Sequence, residues 1–253
     1  MVHAEREVPS IRCEPDLAPR NLVLASLGWQ DFLRILSGIV LAIWGLNIGL
    51  AVSLFGGLTY PDAGHSGLAF FFLLQTTVPV LACWVAMKRK GKAAFWRLQF
   101  PRIPSIHVLL SVVLGVVLAS FMVVTFRWSL VLPSFQTTLI RDFLTNMQGR
   151  IALGVVLVFS CPLEELFLRG FLFPFVRAKS GFIGGLLALT LWLASDFLPR
   201  FPGPWHWMGM TLGFTLLVKH VVLTIQRELS SSLFPPMLTH LVCNLVIASV
   251  IFA

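Results

Sequence analysis

The chain has 253 residues, 57% of them hydrophobic and only 12% charged, with a net charge of +8 and a mean hydropathy of +0.86. A soluble domain carries roughly 25% charged residues, so this composition excludes an ordinary soluble fold and predicts an all-α, polytopic transmembrane bundle. The positive charge is no nucleic-acid footprint, because the basic residues cluster beside apolar runs; the implied partner is a lipid bilayer, not nucleic acid.

Residues 1–32 are polar and mixed in charge, with Arg6, Arg12 and Arg20 set against Glu5, Glu7, Glu14 and Asp16. The first apolar run starts too late for a signal peptide of ordinary layout, and 1–32 read as a cytoplasmic tail. Seven candidate spans follow, at 33–55, 67–87, 107–126, 150–173, 181–198, 205–225 and 236–253. Each is close to the ~20 residues that a bilayer requires. The last two are marginal at their ends, where Lys219, His220 and Gln226 intrude. No internal repeat is visible. Residues 33–149 hold three N-terminal spans and a connecting segment, and 150–253 hold the other four spans. In the connection, Phe135, Leu139, Ile140, Phe143, Leu144 and Met147 recur at helical spacing, which predicts a weakly amphipathic helix over 134–149 on the outer interface or simply linking two spans.

Orientation follows from the loops. Lys88, Arg89, Lys90, Lys92, Arg97 and Arg102 place the loop 88–106 in the cytoplasm. The loop 56–66 has no positive residue and faces out, and the pattern continues to a C-terminus outside. Trp96, Trp128, Trp205 and Trp207 fall near span ends, where an aromatic belt belongs. Cys83, Cys161 and Cys243 lie in apolar spans without metal-ligand spacing and read as small buried hydrophobes.

The most costly residues stand in the fourth span. Glu164, Glu165 and Arg169 interrupt an apolar run from Ile151 to Phe173. Insertion scales charge about 2.5–3.5 kcal/mol for one such charged group at a helix centre. Glu165 and Arg169 are i and i+4 and can pair on one face. Glu164, about 100° around the helix, is left as the carboxylate without a local partner, suited to general acid or base work. A purely structural Glu–Arg network is the alternative. In the last span His240 and Asn244, again i and i+4, offer two donors on one face, a fit for an oxyanion. Asp196 lies near the end of the fifth span, and Lys219 and His220 near the cytoplasmic end of the sixth.

Glu164-Glu165-x-x-x-Arg169, with His240-x-x-x-Asn244 much later, resembles the CPBP family of intramembrane proteases, which includes the type II CAAX prenyl endopeptidases and the Abi-type proteins. The resemblance covers about 150–253. It implies that Glu164 is the base that activates water, that Glu165 and Arg169 support it, and that His240 and Asn244 steady the tetrahedral intermediate. The family's second motif, aromatic-x-x-x-His, should fall in the fifth span. There Trp192 supplies the aromatic, but Asp196 stands where His belongs. His206 and His220 are possible replacements well off the motif. No cofactor is implied, although an older metalloprotease reading uses zinc; Glu164, Asp196 and His240 are the residues that could hold a divalent ion. A Glu164–Asp196 carboxyl pair sharing a proton is a second possibility, and a simple span-ending role for Asp196 a third. Asp196 lies ~22 Å up its span at about 1.5 Å per residue, whereas Glu164 and His240 fall nearer the cytoplasmic half. This predicts a mismatch in depth unless Pro162 or Pro174 breaks the fourth span.

The expected function is that of an intramembrane endopeptidase of a prokaryotic plasma membrane, acting on a membrane-tethered peptide or a protein's membrane-proximal tail. The alternatives are a pseudoprotease that binds such segments without cutting, and a proton-coupled transporter, since buried Glu, Arg and His also mark ion paths.

Overall fold

The protein is all-α, and the structure, a computed structural model, describes residues 27–55, 60–89, 99–129, 147–197 and 207–252. The side chains at 47–69, 71–72, 126–129, 153, 195–197, 207–212 and 251–252 lie outside that description. Its helices are α1 (Trp29–Phe55), α2 (Tyr60–Arg89), α3 (Ser105–Ser129), α4 (Met147–Phe167), a π-helical turn (Leu168–Leu172), α5 (Phe173–Phe197), α6 (Trp207–Ser230) and α7 (Phe234–Phe252). Each predicted span overlaps one of them. The stretches Trp29–Leu46, Ser105–Thr125 and Met147–Ala194 are long and apolar enough to cross a membrane. The predicted helix over 134–149 lies outside the described residues up to position 146, as do Trp96 and Trp205; of Trp128 and Trp207 only the backbone is described.

The distribution of side chains is that of a protein dissolved in hydrocarbon. Leu41, Trp44, Val117, Ile183 and Leu191 are exposed, while Gln75, Ser111, Glu165, Arg169, Lys219, His220 and His240 are buried. Lipid cannot satisfy polar groups, so they turn inward and meet one another. The chain is an integral membrane protein on this ground.

Helix α4 stands at the centre, packed against α2 and α7, and α7 also packs against α3 and α6. The approach of α3 to α7 depends on Gly115: a β-carbon there would lie 2.8 Å from the carbonyl oxygen of Thr239 and from Val242 Cβ. Thr239 and Gln226 add polar ties, the first donating to the Ser111 carbonyl at 3.1 Å and the second to the Ser111 hydroxyl at 2.9 Å. At the start of α7, the Ser232 hydroxyl accepts the Phe234 N–H. Pro235 and Pro236 then fill the first turn, where a helix has no use for their missing N–H groups.

Two helix boundaries differ from those of the predicted spans. Helix α1 begins at Trp29, four residues before the predicted first span. Phe32 is buried and stacks on Phe175 with ring centroids 3.9 Å apart, and Trp29 meets the same ring edge-on. Aromatic packing against α5 therefore captures residues whose local sequence still looks like a tail.

The fourth span, likewise, does not stop at Phe173. Helix α4 passes through the π turn into α5 without leaving helical geometry, Phe167 and Phe173 both being right-handed helical. Pro174 accounts for the widened turn. Its ring would collide with the carbonyl four residues back, at Gly170, and it brings no N–H. In the π turn the Phe173 N–H reaches the Leu168 carbonyl instead. The helix then reverses at Gly181, whose φ of 75° and ψ of −178° are open essentially to glycine alone.

This hairpin removes the predicted mismatch in depth. Counted from Gly181 at about 1.5 Å per residue, Glu164 lies ~25 Å back along one arm and Asp196 ~22 Å along the other. Contacts between the arms agree: a β-carbon on Gly185 would strike the Phe173 ring at 2.8 Å, and Trp192 packs on Phe167 with centroids 4.8 Å apart. The two motifs stand level because the helix continues past Pro174 rather than ending there.

Replacing Gly181 by Ala should destabilise the protein by about 1–3 kcal/mol, and it should do so through backbone strain alone, since nothing lies within 4 Å of the added carbon. The thermal unfolding midpoint in detergent micelles tests this; an unchanged midpoint refutes it.

Candidate active site

Four elements converge on one buried polar cluster. Helix α4 contributes Glu164 and Glu165, the π turn Arg169, α6 Lys219 and His220, and α7 His240 and Asn244. The centre is the ion pair of Glu165 and Arg169, both side chains fully buried. Arg169 Nη1 donates to Oε1 at 2.6 Å and to Oε2 at 2.7 Å. Helical spacing brings the two together, as their positions four apart require.

Each partner then reaches a different helix. Glu165 Oε1 lies 2.9 Å from His240 Nδ1. Arg169 Nη2 donates to the His220 carbonyl at 2.8 Å and lies 2.9 Å from His220 Nδ1. The same carbonyl accepts the Thr224 hydroxyl at 2.7 Å. Arginine has only donors, so His220 Nδ1 accepts and the proton of that ring sits on Nε2. The rings of His220 and His240 stand edge to face, with centroids 6.4 Å apart. On the far side of His240, Nε2 lies 3.0 Å from the Lys219 ammonium.

Glu165, Arg169 and His240 are thus in direct contact. Asn244 belongs to the same face of α7, one turn on, and its amide Nδ2 donates to the Leu157 carbonyl of α4. Glu164 differs from its neighbour: it is half-buried, and no hydrogen bond or ion pair joins it to another described residue. Asp196 lies in the last turn of α5, level with the carboxylates, and its side chain is outside the described set. Its motif partner Trp192 packs on Phe167, which is next but one to Glu165.

Two members of the cluster carry little signal in the sequence. Lys219 and His220 look like residues intruding at the end of a marginal span. Both are buried, at 6% and 3% exposure, and both touch motif residues. The available clue was energetic: adjacent Lys and His within an apolar helix require partners, and acidic groups were at hand in the fourth and fifth spans.

Among the described residues no three His, Cys, Asp or Glu side chains are grouped to hold a metal ion. His240 in particular has both ring nitrogens engaged, one by Glu165 and the other by a lysine, whose charge would repel a cation. As placed here, His240 offers no free ring nitrogen to a metal ion, and the Asp196 side chain lies outside the described residues.

Residues 146–246 match the family described as type II CAAX prenyl endopeptidase Rce1-like. The matched segment runs from the start of α4 almost to the end of α7 and contains every residue of the cluster. Comparison with the curated proteins and with the solved structures gives no match.

Breaking a buried pair by removing one partner costs about 3–5 kcal/mol, since the other charge is left uncompensated. Arg169→Met and Glu165→Leu should each lower stability by about that much. The double variant should be less destabilised than either single one. Unfolding in detergent checks the cycle, and strictly additive losses would count against a coupled pair.

Proposed function

We propose, from the membership of residues 146–246 in the Rce1-like type II CAAX prenyl endopeptidases, that the chain is a multi-pass intramembrane endopeptidase whose base is Glu164. Family membership supports a membrane-bound peptidase at the coarse level. The contrast between the two glutamates supports the choice of base. Glu165 already holds hydrogen bonds on both oxygens, and a carboxylate held in that way is poorly placed to take a proton from water. Glu164, next to it in sequence and half-buried, has neither oxygen engaged by another described residue.

The reaction is hydrolysis of a peptide bond. Glu164 takes a proton from a water molecule as the water oxygen bonds to the scissile carbonyl carbon. The carbonyl electron pair moves onto oxygen, giving a tetrahedral oxyanion. Collapse breaks the carbon–nitrogen bond, and protonated Glu164 returns its proton to the leaving amine. Glu165 and Arg169 act as positioning residues, since they bind α4 to α6 and α7 and hold the water site in a fixed relation to the donors. The substrate is a membrane-tethered peptide or a protein's membrane-proximal tail; a prenylated C-terminal segment is one member of that class. The proposed location is a prokaryotic plasma membrane.

Asp196 takes the place of the second-motif histidine. Its backbone position level with Glu164 is compatible with a carboxyl pair that shares one proton. Such a pair predicts an optimum on the acidic side of neutrality, and activity that persists unchanged in Asp196→Ala would eliminate it.

The decisive measurement uses an internally quenched peptide with a farnesylated cysteine four residues from its C-terminus, the CAAX arrangement. Cleavage by wild type and loss of at least ~100-fold in Glu164→Ala is expected, the usual size of a general-base contribution. A pseudoprotease would bind the peptide and leave it intact with either form. The engaged Nδ2 of Asn244 is the observation on that side.

A further inference from the structure

Two polar groups of the cluster belong to no motif, and of these Lys219 is the one hydrogen-bonded to His240. Its position determines where the protons on His240 lie. Glu165, held by Arg169 at 2.6 and 2.7 Å, is an acceptor, so the His240 nitrogen 2.9 Å away carries a proton on Nδ1. A neutral ring protonated there has its lone pair on Nε2. The Lys219 ammonium, which has donors and no acceptor, faces that lone pair at 3.0 Å. The doubly protonated ring would set two cationic donors against each other in a buried site.

The consequence concerns the oxyanion. With its single proton directed at Glu165, His240 has no N–H to offer from Nε2. Asn244 already directs Nδ2 to Leu157. Lys219 has three N–H bonds, and its contact with His240 accounts for one. Charge agrees with this: Glu165 and Arg169 neutralise each other, which leaves, among the described side chains of the cluster, a carboxylate, Glu164, and a cation, Lys219. Of the two, Lys219 is the one in contact with the ring, at 3.0 Å.

We propose that Lys219 is a catalytic residue of this site, anchored by His240 Nε2 and donating to the scissile carbonyl oxygen as it becomes the oxyanion. The assignment rests on the reading of Glu164 as the base. Protons balance as before: the one removed from water travels on Glu164 to the leaving amine, while Lys219 keeps all three of its own and supplies only hydrogen bonds and charge. A preorganised donor of this kind, in a site shielded from water, is worth about 100- to 1,000-fold in rate.

The experiment uses the full chain in detergent micelles and the same farnesylated quenched peptide. Lys219→Met keeps the apolar stem and removes the ammonium. Its kcat should fall by about 100- to 1,000-fold with KM changed much less, and Lys219→Arg should recover at least part of the loss. A merely structural lysine would instead lower the yield of folded protein and leave the kcat of the folded fraction near wild type. The tautomer provides a readout that needs no turnover. With 15N-labelled histidine, and the His240 signal identified by its loss in His240→Gln, wild type should show a protonated Nδ1 and a bare Nε2. A protonated Nε2 in the wild type overturns the assignment whether or not Lys219→Met folds. If Glu164→Ala is inactive while Lys219→Met retains the wild-type rate, the lysine assignment fails alone. If the wild type does not cleave, or Glu164→Ala cleaves as fast, the proposed function fails and takes the lysine role with it.

Discussion

A fully buried carboxylate and a fully buried guanidinium, one helical turn apart, tie together the helices α4, α6 and α7 of this molecule. Neither Glu165 nor Arg169 tolerates that environment alone, since a single unpaired charge in hydrocarbon carries a penalty of several kcal/mol. Paired, they still have hydrogen-bonding capacity to satisfy, and much of it is satisfied across helices: His240 of α7 on the carboxylate, His220 of α6 on the guanidinium, with Arg169 Nε alone of that group left without a partner among the described residues. The demand for partners thus becomes a device for assembling α4, α6 and α7. It also orients two imidazole rings, whose proton positions follow from whether their neighbour donates or accepts.

The second constraint is the path of the backbone between the motifs. A proline just after the arginine would ordinarily mark the end of a helix. Here the chain absorbs Pro174 in a π-helical turn and continues to Gly181, where a conformation open to glycine reverses it. Widening the helix at Arg169 also matters locally, since the same turn that accommodates the proline carries the buried guanidinium. The reversal beyond it determines which residues of α5 stand level with the glutamates. Trp192 and the backbone of Asp196 do so because the two arms of the hairpin are similar in length.

Helix positions were legible because a membrane imposes a crude rule, and apolar runs of the right length reveal themselves. The Glu165–Arg169 pair was legible because it is local, four residues apart on one helix. The start of α1 was not, since Trp29 and Phe32 are helical for the sake of Phe175, more than 140 positions away. Nor was the membership of Lys219 and His220 in the cluster, because no spacing within α6 indicates which neighbour its polar residues will meet.

From the sequence alone it follows that the protein is helical and apolar, that three charged residues in one span need a reason, and that one glutamate would find its arginine locally while the other would not. These properties depend on composition and on contacts within a turn of helix. Tertiary structure alone decided which groups surround the glutamates. A buried lysine set against the ring of His240, and a second-motif position brought level with Glu164, both result from how far α4 runs before it reverses and from which faces of α6 and α7 close on it. Long-range packing of this kind leaves no periodic trace in a single sequence, because it is enforced by the need of each buried polar group to find a partner wherever the fold places one.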